Sequence, residues 1–234
     1  MKHVIALGGG GFSEEPRNSA IDAYILSQSS KTKPRVCFLP TASGDSEVYI
    51  DKFYRAYDKL GAVTSHLSLF QPMPKRADKA LFGQDVIYVG GGNTRNMLAL
   101  WKDWGIDKLL RRASARGTIL AGISAGALCW FKEGLTDSNP GGFTALAGLG
   151  WLKGSFCPHF DSEPRRRPKF RSLIKDGELA AGYAVDDGVA LHFEDGTLIE
   201  VVSSRPSAGA RFIERHRGRL REVRLAPSRL KSYA

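Results

Sequence analysis

Residues 118–128 read Thr-Ile-Leu-Ala-Gly-Ile-Ser-Ala-Gly-Ala-Leu, and this stretch decides the fold. The apolar run before Ser124 predicts a buried strand and residues 125–131 predict a helix, so the chain must turn sharply at the serine. The pattern Gly-x-Ser-x-Gly suits such a nucleophile elbow, because small residues on both sides avoid collisions with the neighbouring strand and helix. An elbow would expose the hydroxyl at the positive end of a helix. The alternative is a plain strand–helix turn whose serine caps the helix.

Outward from the elbow, apolar runs alternate with helical patterns. Continuous apolar strands that alternate with helices indicate an α/β fold with a parallel sheet covered on both faces, in which sites gather where strands end. The last third changes to short strands separated by turn signals, which predicts antiparallel strands added to the same sheet of a single domain, residues 1–234, with the strands of 201–234 included. Strands are predicted at residues 4–7, 35–39, 63–69, 86–89, 183–193, 198–202, 210–214 and 220–225, and helices at 19–29, 47–60, 94–101 and 106–115.

The composition is that of a soluble globular protein, with 42% hydrophobic and 25% charged residues. No apolar run approaches the roughly 18 residues that a membrane helix needs. The apolar stretch at the N-terminus is too short for a signal peptide. Cys37, Cys129 and Cys157 are odd in number and lack metal-ligand spacing, which predicts buried free thiols in a reducing cytoplasm.

The formal net charge of +10 is concentrated at the C-terminal end. Residues 201–234 hold nine lysines and arginines against two acids, Glu214 and Glu222. A basic end can bind nucleic acid, but neither interleaved aromatic residues nor a recognition-helix pattern accompanies the charge. We therefore expect a solvated edge hairpin, since charged residues protect the edges of sheets.

A serine nucleophile needs a base within hydrogen-bond reach and an acid that orients this base. Among five histidines, His159 lies at the end of an apolar stretch and enters a polar loop, which is the position expected of a catalytic base; His3, His66, His192 and His216 lie in strands or in the basic end. For the acid, Asp137 follows Ser124 by 13 residues. The spacing leaves four rivals open: Glu133, Asp161, Glu163 and Asp187.

Two backbone N–H groups should form an oxyanion hole. Ala125 supplies one if the elbow is correct, and Gly91 or Gly92 can supply the other, because a glycine-rich loop lets the backbone approach a ligand. A phosphate-binding loop is the alternative for these glycines. It is disfavoured because neither nucleotide-binding glycine pattern is completed here or at residues 8–11.

Four segments occur together in an order that resembles a known family: Phe-Leu-Pro-Thr-Ala (38–42), Val-Gly-Gly-Gly-Asn-Thr (89–94), Gly-Ile-Ser-Ala-Gly-Ala (122–127) and Pro-His-Phe (158–160). The chain resembles peptidase E, the α-aspartyl dipeptidases, whose relatives include cyanophycinase. The resemblance implies a three-layer αβα sandwich like the class I glutamine amidotransferase domains. It also implies that Ser124 is the nucleophile, His159 the base and Asp137 the acid.

The same resemblance implies a substrate and its binding residues. Enzymes of this family remove an N-terminal aspartate from short peptides, mainly dipeptides, and need neither metal nor cofactor. An arginine after the catalytic histidine is expected to bind the aspartate side chain, and a guanidinium fork matches a carboxylate. Four arginines qualify for this role, Arg165, Arg166, Arg167 and Arg171. Of these, Arg166 and Arg167 are favoured, and Asn93 of the glycine-rich segment is expected at the substrate.

Two other functions compete with this prediction. One is hydrolysis of β-aspartyl linkages, as in cyanophycinase, which the short chain and the match to peptidase E disfavour. The other is a binding protein on an inactive hydrolase fold that binds RNA through its basic end. The complete set of serine, histidine and aspartate argues against this function. Glutamine amidotransferases use cysteine where Ser124 stands. The sequence leaves the oligomeric state open.

Overall fold

The computed structural model describes residues 2–71 and 76–231. Residue 1 and residues 232–234, the two ends of the predicted domain, lie outside the described residues. The strands are β1 (His3–Leu7), β2 (Arg35–Leu39), β3 (Val63–His66), β4 (Val86–Val89), β5 (Ile119–Ile123), β6 (Phe131–Thr136), β7 (Thr144–Ala147), β8 (Leu152–Cys157), β9 (Gly182–Val185), β10 (Val189–Glu194), β11 (Thr197–Ser203), β12 (Ala210–His216), β13 (Arg219–Leu225) and β14 (Ser228–Arg229). The helices are α1 (Gly11–Glu14), α2 (Ala20–Ser27), α3 (Glu47–Lys59), α4 (Ala77–Leu81), α5 (Thr94–Trp104), α6 (Ile106–Ala115), α7 (Ala125–Leu128) and α8 (Arg166–Asp176).

The larger sheet has eight strands in the order β14-β11-β10-β1-β5-β4-β2-β3. Strands β1 to β5 are parallel, as their continuous apolar sequences predict. Strand β10 pairs antiparallel with β1, and β11 pairs antiparallel with β10. The predicted mostly parallel sheet with added antiparallel strands is therefore confirmed for β10 and β11.

A second sheet of six strands, in the order β13-β12-β9-β8-β6-β7, is the main departure from the prediction. The strand predicted at 183–193 divides into β9 and β10, which belong to different sheets. Strand β12 pairs with β9 and β13 pairs with β12, so neither extends the larger sheet. The helix predicted at 125–131 ends at Leu128, because the backbone oxygens of Cys129 and Trp130 accept hydrogen bonds from residues 149–152. Pairing between distant segments produces both differences.

Alternating residues of the parallel strands face two separate cores. On one side Val36 and Phe38 pack against α1, α2 and α3, and Phe12 of α1 lies at the centre of an aromatic cluster. On the other side Cys37 and Leu39 pack against α5, α6, α7 and the smaller sheet. Helices thus cover both faces of the larger sheet, which confirms the predicted three-layer arrangement. Helix α8 covers the smaller sheet through a third apolar cluster.

The three cysteines are free and buried, as predicted, and burial raises the pKa of Cys37 to about 12. Within the described ranges, no helix is both long enough and apolar enough to cross a membrane. The basic C-terminal end forms the hairpin β12–β13 with β13 at the sheet edge, as the edge prediction requires. Part of its charge is neutralised, since Arg211 lies 3.6 Å from Asp186.

Candidate active site

Ser124 lies at the corner between β5 and α7 with φ 53° and ψ −110°, a strained backbone conformation for a residue with a side chain. Its neighbours are glycines for a steric reason. A Cβ on Gly122 would collide with the backbone oxygen of Gly126, and one on Gly126 would collide with the backbone oxygen of Val89 in β4. The local geometry is that of a nucleophile elbow, with a half-buried serine hydroxyl at a helix N-terminus.

His159 follows β8, where the chain leaves the smaller sheet. The backbone N–H of His159 donates to the backbone oxygen of Gly8 at 3.2 Å, and the backbone N–H of Phe160 donates to the backbone oxygen of Val185 at 3.2 Å. The histidine itself has a left-handed backbone conformation, with φ 52°. Hydrogen bonds on both sides of this residue offset the cost of that conformation and hold the imidazole between β1 and β9.

Asp187 follows β9, which is the parallel neighbour of β8 in the smaller sheet. Because parallel strands end at the same edge, the residues that follow them meet, and the Nδ1–H of His159 donates to Oδ1 of Asp187 at 2.7 Å. Gly9 covers this pair so closely that a Cβ there would overlap the aspartate carboxylate. The pair is therefore shielded from solvent on the side of the residue 8–11 loop.

The charges of this pair stabilise each other. Burial alone would lower the pKa of His159, but the hydrogen bond and the charge of Asp187 outweigh it and raise the pKa above its ordinary value. Burial alone would raise the pKa of Asp187, but hydrogen bonds from His159 and Ser162 outweigh it, and the pKa lies below its ordinary value. Asp187 therefore stays ionised and favours the imidazolium that a general base forms when it takes a proton.

The prediction that Asp137 orients the imidazole is wrong in this structure. Asp137 is exposed at the end of β6, and the carboxylate on His159 belongs to Asp187. Strand β6 is the neighbour of β8 on the side opposite β9, and the segment after β6 lies at the start of α5, where the hydroxyl of Ser138 accepts the N–H of Thr94 at 2.8 Å. Glu133 instead accepts the N–H of Ala180 at 2.7 Å, and Glu163 pairs with Arg166.

Asp161, the remaining candidate for the acid, contacts the backbone of Asp187 and not the imidazole. Its Oδ1 accepts the N–H of Asp187 at 2.8 Å, so it helps to place the acid without touching the imidazole. Arg205 approaches Asp187 to 4.0 Å and is anchored to Glu15 at 2.6 Å. Asp161 and Arg205 therefore help to hold Asp187, the candidate acid, in position.

The predicted oxyanion donors surround the serine. Gly91 lies close to Ser124, but its N–H donates to the hydroxyl of Tyr49 at 3.2 Å. Among the backbone hydrogen bonds of the described residues, none uses the N–H of Gly92 or of Ala125. These two N–H groups are the ones available to a developing oxyanion.

Ser124 and His159 open into one cavity of about 300 Å³. Its wall carries one anionic and one cationic side chain besides the histidine. The lining residues are Ser13, Glu14, Tyr49, Lys52, Gly91, Gly92, Ile123, Ser124 and His159.

The residues predicted to bind substrate lie elsewhere. Arg166 is 3% exposed, donates to Glu163 and to the backbone oxygen of Leu135, and lies over the ring of Phe143. Arg167 is exposed and approaches Glu222 to 3.7 Å. Neither arginine lines the cavity. Asn93 caps α5, with its side chain accepting the N–H of Asn96 at 2.9 Å, and it does not line the cavity either.

Sequence analysis did not identify Glu14 and Lys52 as cavity residues, and it named Asp187 only as an alternative to Asp137 for the acid. A signal for Asp187 existed, because the Asp-Asp-Gly turn at 186–188 divides what otherwise reads as one long strand. Glu14 and Lys52 lie on α1 and in the middle of α3, where nothing local distinguishes them from solvent-exposed charges.

In the described part of the chain, one group of three side chains has the spacing of metal ligands. Glu14, His159 and Asp187 each offer an atom, and these atoms lie within 4.8 Å of one another. A metal held there would draw on the same ring and carboxylate that form the His159–Asp187 hydrogen bond. It would therefore compete with the use of His159 as a base.

Comparison with known proteins identifies the family of this chain. The model of peptidase family S51 matches residues 4–201. The chain belongs to this family, that of peptidase E. A Bacillus subtilis (strain 168) protein named uncharacterized peptidase YgaJ is 57% identical over 210 residues, which is 90% of this chain and 91% of that protein. The S51 chain is therefore a peptidase of the peptidase E type.

Two crystal structures share the fold of this S51 peptidase. A peptidase from an acI-B1 Actinobacterium matches with a TM-score of 0.66 and 20% identity, over 100% of this chain and 97% of the other. A putative peptidase E protein from Listeria monocytogenes EGD-e matches with a TM-score of 0.62 and 20% identity, over 97% and 100%. At this identity the likeness concerns the fold alone.

Proposed function

We propose that this S51 peptidase is a serine exopeptidase that hydrolyses short peptides with an N-terminal aspartate, through Ser124, His159 and Asp187. The observation that carries the proposal is the hydrogen-bonded His159–Asp187 pair in the same cavity as a serine held at an elbow. A nucleophile, a base and an acid that orients the base are the three parts that acyl transfer by serine requires.

The reaction proceeds in two halves. The Oγ of Ser124 attacks the carbonyl carbon of the scissile bond while His159 takes the hydroxyl proton, and the oxyanion lies against the N–H groups of Ala125 and Gly92. The C–N bond then breaks as His159 gives that proton to the leaving amine, and an ester to Ser124 remains. Water attacks the ester, His159 takes its proton and returns it to Oγ, and the N-terminal residue leaves as the free acid.

Two features support the aspartate preference. Peptidase E is the family to which the chain belongs, and α-aspartyl dipeptides are the substrates that the resemblance implies. The cavity also contains the cationic side chain of Lys52, which favours an acidic group on the substrate.

A dipeptide panel tests the proposal. Asp-Leu, Glu-Leu, Ala-Leu, Asn-Leu and β-Asp-Leu are incubated with the wild type, with Ser124→Ala and with Ser27→Ala, whose exposed serine on α2 is the matched control. We expect Asp-Leu to be cleaved preferentially, and we expect Ser124→Ala to lower kcat by about 10⁴ or more while Ser27→Ala has no effect. Retention of most activity in Ser124→Ala would overturn the mechanism. Cleavage of β-Asp-Leu alone would replace the proposed substrate by a β-aspartyl one.

A further inference from the structure

Two charged side chains in the cavity have no part in the hydrolytic mechanism. Glu14 is the last residue of the short helix α1, and Lys52 lies in the middle of α3. Both line the cavity that Ser124 and His159 share. The Nζ of Lys52 donates to the backbone oxygen of Ser13 at 3.3 Å, so the ammonium lies beside the residue that precedes Glu14. The cavity wall therefore presents one negative and one positive group, which do not form an ion pair with each other.

The carboxylate of Glu14 is held in place from its own helix. The N–H of Gly10 donates to its Oε2 at 2.6 Å, and this is the one hydrogen bond that the described residues make to the carboxylate. The carboxylate lies within 4.8 Å of ligand atoms of both His159 and Asp187, at the catalytic end of the cavity. A fixed carboxylate with a free oxygen close to His159 is suited to bind a cationic group of a substrate.

Lys52 is equally available. The backbone oxygen of Ser13 is the acceptor that residues 2–71 and 76–231 provide for its ammonium, so the charge is not neutralised by a carboxylate. Arg166 is the contrasting case, since its guanidinium is buried and already paired with Glu163. Of the cations considered for an acidic substrate, Lys52 is the one that both lines the cavity and keeps its charge free.

We infer that Glu14 binds the α-ammonium group of the substrate and that Lys52 binds the side-chain carboxylate of the same residue. This inference rests on the proposed function and specifies how its substrate is selected. An N-terminal aspartate carries an ammonium on Cα and a carboxylate one carbon further out, so two opposite charges project from a single residue. An acylated aspartate lacks the cation, and an N-terminal asparagine lacks the anion. The pair therefore selects an acidic residue and also requires a free N-terminus, which limits cleavage to one residue at a time.

Binding without turnover tests this inference. In the Ser124→Ala background, calorimetry measures the Kd of Asp-Leu, Asn-Leu and N-acetyl-Asp-Leu. Lys52→Met should raise the Kd of Asp-Leu about 10- to 100-fold, the effect of losing a charge-assisted hydrogen bond, and change the Kd of Asn-Leu less than about threefold. Glu14→Gln keeps an acceptor for the N–H of Gly10. It should raise the Kd of both free dipeptides about 10-fold or more and leave N-acetyl-Asp-Leu unaffected.

Matched controls come from α3 itself. Lys59 is an exposed lysine of the same helix outside this cavity, and Glu47 is an exposed glutamate at its start. Lys59→Met and Glu47→Gln should leave every Kd within about twofold. Equal changes for Asp-Leu and Asn-Leu in Lys52→Met, or for free and acetylated peptide in Glu14→Gln, would overturn the inference. These results are separate from the proposed function, which fails instead if the wild type cleaves no aspartyl dipeptide.

Discussion

Asp22 on α2 provides a test of the fold that is independent of activity. The residue is fully buried, and the hydroxyl of Tyr57 donates to its Oδ1 at 3.1 Å. Its Oδ2 has no hydrogen-bond partner among the described residues. Burial raises the pKa of this carboxyl from 3.8 to about 7, despite the hydrogen bond from Tyr57.

The raised pKa makes stability depend on pH in a defined direction. The folded protein holds the proton of Asp22 more tightly than the unfolded chain, so the free energy of unfolding falls as pH rises from about 4 to about 7 and levels off above. At about 1.36 kcal/mol per pH unit, the interval between 3.8 and about 7 corresponds to about 4 kcal/mol, of which about 3 kcal/mol falls between pH 5 and pH 8. Asp22→Asn removes the titrating group and keeps nearly the same shape.

Urea unfolding of the wild type and of Asp22→Asn at pH 5, 6, 7 and 8 measures this effect. The free energy of unfolding of the wild type relative to the variant should fall by about 3 kcal/mol from pH 5 to pH 8, and the steepest change should lie below pH 7. Asp51→Asn, which alters an exposed aspartate on α3, should run parallel to the wild type. A difference between the wild type and Asp22→Asn that stays constant with pH would refute the reasoning, because the carboxyl would then titrate alike in both states.

The active site and the elbow yield three further predictions. Asp187→Asn should lower kcat by about 10³–10⁴ and Asp137→Asn by less than about threefold on Asp-Leu; equal losses would return Asp137 to the role of acid. In the pH profile of kcat/KM, the acidic limb should lie above pH 6.5, because the pKa of His159 is raised and the base must be neutral to act. Asp187→Asn should move that limb to lower pH. Gly126→Ala should cost about 2 kcal/mol or more in urea unfolding, since its Cβ would overlap a backbone oxygen of β4. Gly209→Ala, whose Cβ would meet only the Nε of Arg224 at 4.0 Å, should cost less than about 1 kcal/mol, and equal costs would remove the steric argument.

Local sequence patterns were sufficient to predict much of the larger sheet and its helices. The predicted strands at 35–39 and 86–89 coincide with β2 and β4, and the helix at 106–115 coincides with α6. In these segments every residue type favours the structure that forms, and the apolar side chains are buried on both faces of the sheet. The smaller sheet could not be predicted in this way, because the pairings of β6 with β8, of β8 with β9 and of β9 with β12 join residues that are distant in the sequence.

The candidate site divides in the same manner. Ser124 could be found from sequence because its geometry depends on five consecutive residues, and His159 because a polar loop follows an apolar strand. The acid could not be chosen from the sequence. Asp187 lies 28 residues after His159 and reaches it only through the pairing of β8 with β9. The family resemblance implied Asp137, and spacing from the serine left its rivals open, because spacing carries no information about which strands become neighbours.

By itself, the sequence of this S51 peptidase determined the α/β class, the parallel strands, the elbow and the family, since each of these depends on short-range patterns or on a linear order of motifs. Only the tertiary structure decided the second sheet, the pairing of His159 with Asp187 and the presence of Glu14 and Lys52 in the cavity. The physical reason is that a side chain's role in a site depends on which elements pack beside it. That packing is settled by contacts between residues that are distant in the chain.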